Sequence, residues 1–305
     1  MPTLFLSHDD CEKHVMLDHH PESPDRLRAI RQAIEAIEWG DSLSRETAVE
    51  ITREALLGIH PEDYLDRLEA LDPGDGIIRV DADTSLNRHS LRAGKLAAGA
   101  ALQAVDAVMD GKADNAFCAV RPPGHHAETA IPMGFCIFNN IALAAEQALA
   151  RGAERVAIFD FDVHHGNGTV EIFLERPEVM VCSSFQYPFY PGRFDQVSAD
   201  HIVLTPLEAA CSGDTFRSSI ERDWLPAIDR HRPDFILISA GFDAHRDDPL
   251  GGLCLDDEDY GWVTRLLRDA AATHCNGRLV SALEGGYDLN ALARSTAAHI
   301  AALAA

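Results

Sequence analysis

Histidines and carboxylates cluster where apolar segments of the chain end. Segment 160–168 reads Asp-Phe-Asp-Val-His-His-Gly-Asn-Gly and continues an apolar run. Because side chains alternate across a strand, Asp160, Asp162 and His164 would share one face. An isolated buried charge is costly, so these groups need partners. Two interpretations remain open here: a salt-bridged strand end, or a divalent metal held by Asp162 and His164.

A further carboxylate, Asp243, follows the apolar segment 234–241 and is expected at the same edge of a sheet. Together with Asp162 and His164 it gives two carboxylates and one imidazole, which leave the fourth position of a tetrahedral zinc open, as in catalytic sites. Two carboxylates neutralise Zn²⁺ formally, so water bound there is acidified less than at a three-histidine site. Such a site needs a strong base nearby.

Adjacent histidines, His125 and His126, lie in an apolar loop rich in Pro and Gly and supply a candidate base. One of them can take a proton from water and return it to a leaving amine, while the other stabilises charge. Taken alone, the pair is equally compatible with a surface loop or a metal site. Tyr287 follows two glycines and could donate a hydrogen bond to a developing oxyanion, although buried tyrosines are commonly structural.

Elements that could position these residues alternate along the chain. Continuous β-branched and aromatic runs suit strands that are covered on both faces, and the Ala-rich stretches between them have a helical pattern. Strands are predicted at 116–120, 155–161, 179–184, 234–241 and 278–286, and helices at 90–111, 138–152 and 257–274. This alternation predicts an α/β fold with a parallel sheet flanked by helices. With no repeat or linker evident, we expect one domain over residues 1–305.

Composition restricts the class of protein. The chain has 26 basic and 49 acidic residues, a net charge of −23, which argues against nucleic-acid binding. An acidic surface can attract cationic substrates or simply reflect a saline habitat. Seven cysteines without a C-x-x-C pair favour a reducing compartment. Neither an export signal nor an apolar run of about 18–20 residues is evident, so we expect a cytoplasmic protein without a membrane partner.

Six motifs in order carry a resemblance to a known family. They are HPESPDRL (20–27), RPPGHHA, GFCIFNN, DFDVHHGNGT, SAGFDAHRDDPLGG and EGGYD. In this order and spacing they resemble the zinc-dependent histone deacetylase and acetylpolyamine amidohydrolase superfamily, over roughly residues 8–290. The resemblance implies the arginase/deacetylase fold, an α/β fold with a central eight-stranded parallel sheet between helices.

The resemblance also implies roles for the polar residues. The zinc ligands would be Asp162, His164 and Asp243. His126 would be the general base and acid, with His125 as its electrostatic partner, and Tyr287 would polarise the carbonyl. Asp160 stands where a carboxylate supports the first histidine. Asn167 stands where class II-like members have Asn and others have Asp, so the sequence looks class II-like. A neutral Asn stabilises imidazolium less than Asp would.

Potassium sites are implied by the resemblance alone. A K⁺ ion behind the zinc would be bound by the backbone oxygens of Asp160, Asp162, His164 and Ser184 with the side chains of Asp160 and Ser183. A second K⁺ would use carbonyls near Phe173, Arg176 and Val179.

A substrate tunnel is implied in the same way. Phe135, Tyr190 and Leu250 would line it, and the Gly134 carbonyl would accept the N–H of the substrate. An apolar tube suits the methylene stem of a lysine. Polyamine-specific relatives with a gatekeeper carboxylate would carry Glu where this chain has Leu250, so the sequence favours an acyl-lysine substrate.

The expected function is therefore hydrolysis of an N-acyl, above all acetyl, amide of lysine in a protein, peptide or small molecule. Alternatives are an acetylpolyamine deacetylase, favoured by the charge of −23, and a non-catalytic acyl-lysine binding protein, which would have lost a ligand, a tandem histidine or the tyrosine. A binuclear manganese ureohydrolase would need a further bridging carboxylate beside His165 and Asn167. Relatives from bacteria suggest a homo-oligomer, a dimer or tetramer.

Overall fold

The fold is built on one central sheet of eight strands. A computed structural model describes residues 2–305, without the side chain of Asp41. All eight strands are parallel, in the order β2-β1-β5-β10-β9-β6-β7-β8, and a separate hairpin pairs β3 with β4. The strands are β1 (Leu4–Ser7), β2 (Ser44–Thr47), β3 (Ile78–Arg79), β4 (Ser85–Leu86), β5 (Asn115–Cys118), β6 (Val156–Asp160), β7 (Val179–Gln186), β8 (Ile202–Leu207), β9 (Phe235–Ala240) and β10 (Leu279–Leu283).

Helices connect the strands and cover the sheet. The helices are α1 (Asp25–Glu35), α2 (Arg53–Leu56), α3 (Glu62–Glu69), α4 (Ser90–Met109), α5 (Asn140–Ala150), α6 (Asn167–Phe173), α7 (Gly213–His231), α8 (Asp257–His274) and α9 (Leu289–Ala304), with 3₁₀ turns at Asp9–Lys13 and Glu38–Ser42. Helix α4 packs on α5, and α8 packs on α9. Every residue of β5, β6, β9 and β10 is buried, which requires cover on both faces of the sheet. Among residues 2–305, no helix combines the length and apolarity that crossing a membrane requires.

The predicted α/β class and eight-stranded parallel sheet are confirmed. The five predicted strands correspond to β5, β6, β7, β9 and β10, and the three predicted helices to α4, α5 and α8, with ends displaced by a few residues. The sequence interpretation missed β1 and β2, which are four residues each, and β8 at the opposite edge. Strand β8 is only partly buried, so its sequence lacks the continuous apolar run that marks a central strand.

Small residues let α4 approach the neighbouring chain closely. A Cβ on Gly99 would lie 1.8 Å from the carbonyl oxygen of Val49, so no side chain fits there. The surrounding positions of the helix are mostly buried alanines. Polar caps end the helices: Asn139 accepts from the amide of Ala142 at 3.0 Å where α5 begins. These contacts hold the long Ala-rich helix against the sheet although its side chains are short.

The carboxyl ends of the central strands meet at one edge, which positions the polar motifs. Asp160 is the last residue of β6, and it pairs with Ser183 of β7 and Ser239 of β9. Asp243 follows β9 by three residues, and Glu284 directly follows β10. In parallel sheets this edge is where ligand sites form.

Candidate active site

Three metal-ligating side chains converge at this edge. His164 Nδ1 lies 3.1 Å from Asp162 Oδ1 and 3.1 Å from Asp243 Oδ2. Ligand atoms of the three residues all lie within 4.8 Å of one another. Around a tetrahedral zinc with bonds of about 2.0 Å, donor atoms stand roughly 3.3 Å apart. The observed spacing therefore fits one zinc ion with three protein ligands and an open fourth position.

The charges of these groups also call for a cation. Burial alone would lower the pKa of His164, but hydrogen bonds with Asp162 and Asp243 outweigh burial and raise it to about 10. Burial, together with the negative charge of Asp162, raises the pKa of Asp243 to about 7. Two buried carboxylates thus compete for the positive charge of one imidazole. A divalent cation would satisfy both carboxylates and leave the imidazole neutral.

Backbone amides hold the two carboxylates in place. His164 N and Gly285 N donate to the two oxygens of Asp162 at 2.9 and 2.8 Å, and Val163 N donates to Asp243 Oδ1 at 2.8 Å. Gly285 has to be glycine, because a Cβ there would lie 2.1 Å from Asp243 Oδ2. The carboxylates are therefore oriented by the strand ends themselves before any ion binds.

The tandem histidines lie beside this cluster with their rings 4.0 Å apart. His125 Nδ1 is 2.9 Å from Asp160 Oδ2, and His126 Nδ1 is 2.7 Å from Asn167 Oδ1. His126 lines the cavity described below, whereas its Nδ1 is engaged by Asn167. Its Nε2 is therefore the nitrogen that is available to a ligand in the cavity.

Opposite electrostatic surroundings separate the two histidines. Burial would lower the pKa of His125, but the carboxylates of Asp160 and Asp162 outweigh it and hold this pKa well above the ordinary value. For His126, burial and then the neighbouring His125 and His164 hold the pKa well below the ordinary value. The two neighbouring pKa values are thus shifted in opposite directions, which favours the cation at His125 and the neutral imidazole at His126. This arrangement matches an electrostatic partner beside a general base.

A cavity of about 230 Å³ leads to His126 and His164. It is lined by Asp83, His126, Gly134, Phe135, His164, Phe189, Tyr190, Leu250 and Tyr287. Phe189 stacks on His164 with a ring distance of 5.4 Å, and Tyr190 meets His126 edge-on at 5.2 Å. A larger surface groove of about 560 Å³ lies between α7 and α8 and includes none of these residues. The predicted tunnel residues therefore surround one cavity together with His164 of the metal cluster.

The Gly134–Phe135 turn forms one wall of the cavity in an unusual backbone conformation. Gly134 has φ +56° and Phe135 has φ +68°. The Phe135 amide donates to Thr84 Oγ1 at 2.9 Å, and the Gly134 amide donates to Asp83 at 3.1 Å. A Cβ on Gly134 would lie 2.3 Å from Cδ2 of His126. Strain of this kind persists where surrounding contacts enforce it, and here it shapes the cavity wall against the candidate base.

Tyr287 faces Phe135 across the cavity, with ring centroids 5.9 Å apart. Burial raises the pKa of its phenol well above the ordinary value, so the hydroxyl stays a hydrogen-bond donor. The Arg26 guanidinium lies 4.9 Å from the centre of the Tyr287 ring and donates to the Gly286 carbonyl at 2.6 Å. Asp248 accepts a hydrogen bond of 2.6 Å from the Tyr287 amide. These contacts fix the phenol in the cavity.

The residues predicted to bind potassium make hydrogen bonds within the protein. Ser184 Oγ donates to the Asp160 carbonyl at 3.4 Å, and Ser183 Oγ is 2.9 Å from His165 Nδ1. At the second predicted site, the Phe173 carbonyl is 2.9 Å from a ring nitrogen of His201. Both potassium sites stay predictions.

Sequence reasoning assigned no role to several residues that contact the site. Glu284 accepts from the amides of Gly124 and His125 at 2.7 and 3.1 Å, and its position directly after β10 was a signal that could have identified it. Asp248 lies within a recognised motif, so it too carried a signal. Asp83 and Glu128 had no such signal in the sequence. Asp83 comes from the short β3–β4 hairpin, and Glu128 meets Asn167 only because the chain folds.

Comparison with known proteins identifies the class that this fold and site define. The family model described as "Histone deacetylase domain" matches residues 20–303. The chain therefore belongs to the histone deacetylase family and is an amide-hydrolysing enzyme, as predicted from its motifs.

Individual relatives support this family assignment. The chain is 39% identical over 277 residues to a histone deacetylase-like amidohydrolase of Pseudomonas aeruginosa, covering 88% of this chain and 72% of the relative. It is 36% identical over 313 residues to a probable deacetylase of Archaeoglobus fulgidus, covering 100% of this chain and 87% of the relative. The crystal structure of the HDA15 HD domain matches with a TM-score of 0.93 at 35% identity, covering 99% of this chain and 88% of that chain.

Proposed function

We propose that the protein is a zinc-dependent deacylase that hydrolyses the N-acyl amide of lysine side chains, with acetyl-lysine as the first substrate class. One observation carries the proposal: His126, which is bonded through Nδ1 to Asn167 and whose pKa is lowered by burial, lines the same cavity as His164 of the three-ligand cluster. When bound by Asp162, His164 and Asp243, zinc supplies a Lewis acid that polarises the amide carbonyl and acidifies water.

His126 serves in this proposal as general base and then as general acid. Its free Nε2 takes a proton from the attacking water, and the same nitrogen returns the proton to the leaving amine. His125, held as a cation by Asp160, stabilises negative charge that develops nearby. Tyr287 donates its hydroxyl proton in a hydrogen bond to the oxyanion formed from the carbonyl oxygen.

The cavity supports an acyl-lysine substrate. Its walls of Phe135, Tyr190 and Leu250 are apolar and suit a methylene stem. In this proposal the Gly134 carbonyl accepts a hydrogen bond from the N–H of the scissile amide. The same carbonyl accepts a hydrogen bond of 3.3 Å from the Cys136 thiol.

An acetylpolyamine is the second candidate substrate, and a specific observation favours it. The carboxylate of Asp83 lines the same cavity and could bind a second ammonium group, which a polyamine has and a lysine side chain lacks. The net charge of −23 would attract such cations. Leu250 opposes this alternative, because no carboxylate stands at that position of the wall.

A substrate panel separates these candidates. Acetyl-lysine peptides, longer acyl-lysines and N-acetylputrescine are compared at matched concentrations, with and without a chelator. We expect acetyl-lysine turnover that chelation abolishes and added Zn²⁺ restores. Faster turnover of N-acetylputrescine, with a loss specific to that substrate in Asp83→Asn, would establish the alternative. Absence of zinc-dependent hydrolysis of every substrate would refute the enzyme proposal and favour a binding protein.

Four further features belong to the same proposal. K⁺ binds at Asp160, Ser183 and Ser184 and stabilises the loop that carries the metal ligands. The protein acts in the cytoplasm as a single domain and assembles as a homodimer or homotetramer. Thermal unfolding in K⁺ against a large organic cation, and light scattering of the purified protein, test the first and last of these.

A further inference from the structure

An ion pair between a buried carboxylate and a half-exposed arginine contacts Asn167, the residue that engages His126. Glu128 is 3% exposed and accepts two hydrogen bonds from Arg193, with Nε at 2.6 Å and Nη2 at 2.7 Å. The same carboxylate accepts a hydrogen bond of 2.7 Å from Asn167 Nδ2. Asn167 in turn presents Oδ1 to His126 Nδ1 at 2.7 Å. A continuous chain of contacts therefore runs from a half-exposed arginine to the candidate base.

Acceptor and donor chemistry gives this chain one direction. A carboxylate paired with a guanidinium can only accept, so the nitrogen end of the Asn167 amide has to face Glu128. The oxygen end then faces His126, and Nδ1 of His126 has to carry the proton. Nε2 is left with a free lone pair towards the cavity. If the amide turned over, its NH₂ group would face Nδ1 and favour the Nε2–H tautomer, which cannot accept a proton.

We propose that Glu128 is a positioning residue that keeps His126 in the Nδ1–H tautomer by orienting the amide of Asn167. This inference rests on the proposed role of His126 as the base. A neutral asparagine needs such an orienting acceptor, because one end of its amide accepts hydrogen bonds and the other donates them. The two oxygens of an aspartate are equivalent, so an aspartate would need no such acceptor. The negative charge of Glu128 is offset by Arg193, so its contribution is the acceptor oxygen.

Arg193 gives Glu128 a second possible role. Arg193 and Tyr190 lie in the same segment after β7, and Tyr190 contacts the His126 ring. Glu128 could therefore act only by anchoring the segment that forms the cavity wall. The two roles differ kinetically: a displaced wall raises KM, while a wrong tautomer lowers kcat.

Two substitutions at Glu128 test the acceptor. Glu128→Gln and Glu128→Leu both remove the charge, but only Gln keeps an oxygen that can accept from Asn167. We expect Glu128→Leu to lower kcat about 10- to 100-fold, and Glu128→Gln to retain most of it. Equal losses in both variants would overturn the acceptor role. Arg193→Met frees the wall segment but leaves the acceptor oxygens of Glu128, so it should raise KM and leave kcat near the wild-type value. A kcat loss as large as that of Glu128→Leu would show that the acceptor oxygen does not hold the tautomer and would overturn the proposal.

A second genetic background makes the test sharper. In Asn167→Asp the side chain has no wrong orientation, and its carboxylate faces Glu128 unfavourably. We expect Glu128→Leu in that background to leave kcat unchanged or raise it, the opposite of its effect in the wild type. A loss of the same size in both backgrounds would show that Glu128 is merely structural and would overturn the proposal.

Controls separate this inference from loss of folding and from the proposed function. Glu171→Gln removes a neighbouring carboxylate that accepts from Thr129 at 2.9 and 2.7 Å, and it should keep wild-type kinetics. Zinc content and thermal unfolding are compared for all variants. Nitrogen NMR of ¹⁵N-histidine-labelled protein, with His126 assigned by its loss in His126→Gln, should show Nδ1–H in the wild type and a shift towards Nε2–H in Glu128→Leu. An unchanged tautomer refutes the inference, whereas a wild type without turnover refutes only the proposed function.

Discussion

His125 and His126 are neighbours in the chain, yet the fold gives them opposite properties. A carboxylate, Asp160, contacts the first, and a neutral amide, Asn167, contacts the second. The pKa of His125 is therefore raised, against the effect of burial, while burial and neighbouring histidines lower the pKa of His126. At the scale of single residues, the carboxylates near His125 outweigh burial, whereas the neutral amide beside His126 does not.

Asn167→Asp tests this difference. A carboxylate beside Nδ1 favours the imidazolium form, so the pKa of His126 should rise, by about one pH unit or more. His126 has to be neutral to accept a proton, and activity on the acidic side falls as it becomes protonated. The acidic limb of the pH profile of kcat/KM should therefore move to higher pH. A limb that stays in place or moves to lower pH contradicts the assigned role.

Tyr287→Phe removes the proposed oxyanion donor and leaves the ring that packs near Phe135 and Arg26. We expect kcat to fall about 10²- to 10³-fold, because this hydrogen bond is strongest in the transition state. Zinc content and KM should change little. Tyr187→Phe is the control, because its hydroxyl accepts from Gln196 at 2.8 Å outside the cavity. Comparable kinetics for the two variants would exclude the donor role.

At the scale of elements, the site is formed by loops that follow different strands. Hydrogen bonds between these loops hold them together. Asp248, in the loop after β9, accepts from the amides of Tyr287 and Asp288 at 2.6 and 3.2 Å through one oxygen. Its other oxygen accepts from Leu250 N at 2.9 Å. One carboxylate thus joins the cavity wall at Leu250 to the loop that carries Tyr287, the candidate oxyanion donor.

Asp248→Ala should release both loops at once. We expect kcat to fall about 10- to 100-fold and KM to rise, because Tyr287 and Leu250 lose their common anchor. Asp248→Asn keeps an acceptor oxygen and should be intermediate. Asp247→Ala is the matched control, since that neighbouring side chain is 54% exposed. Wild-type kinetics in Asp248→Ala would show that the loops hold their positions without this carboxylate.

At the scale of the whole molecule, neutral histidines are part of the packed interior. His299 of α9 bridges α8 and β10, with Nδ1 2.6 Å from Thr264 Oγ1 and Nε2 2.8 Å from Ser281 Oγ. Burial lowers the pKa of His299 to about 3 and that of His60 to about 4. Because these histidines take up protons more readily when the chain is unfolded, the folded state loses stability as the pH falls below about 6.5.

His299→Asn should reduce this sensitivity to acid. Between about pH 6 and 4, the free energy of unfolding of the wild type should decrease relative to the variant by up to about 1.4 kcal/mol per pH unit. The variant itself should be less stable at neutral pH, because it leaves space in the core. Urea unfolding at several pH values measures the difference. His89→Asn, at an exposed position, should keep the wild-type slope; parallel slopes for all three proteins would contradict the expectation.

The sequence alone determined the fold class, the central strands and the family. Asp162, His164 and Asp243 could be grouped in advance, because parallel strands that are buried on both faces end at a common edge. Strands β1 and β2 were missed because four residues are too few for a recognisable apolar pattern. Strand β8 was missed because it is only partly buried and its sequence lacks a continuous apolar run.

Only the tertiary structure decided how residues far apart in the chain meet around His126. Asp83 reaches the cavity wall from the loop that joins the two-residue strands β3 and β4, and Arg193 meets Glu128 across 65 positions of the sequence. No periodic pattern in the sequence predicts either contact, because each depends on the path of a loop. The alternation of buried and exposed residues, which marks strands and helices, says nothing about such paths. Motifs therefore predicted the reacting groups, while the packing of loops decides that Nδ1 of His126 meets Asn167 and that its other nitrogen is left for the cavity.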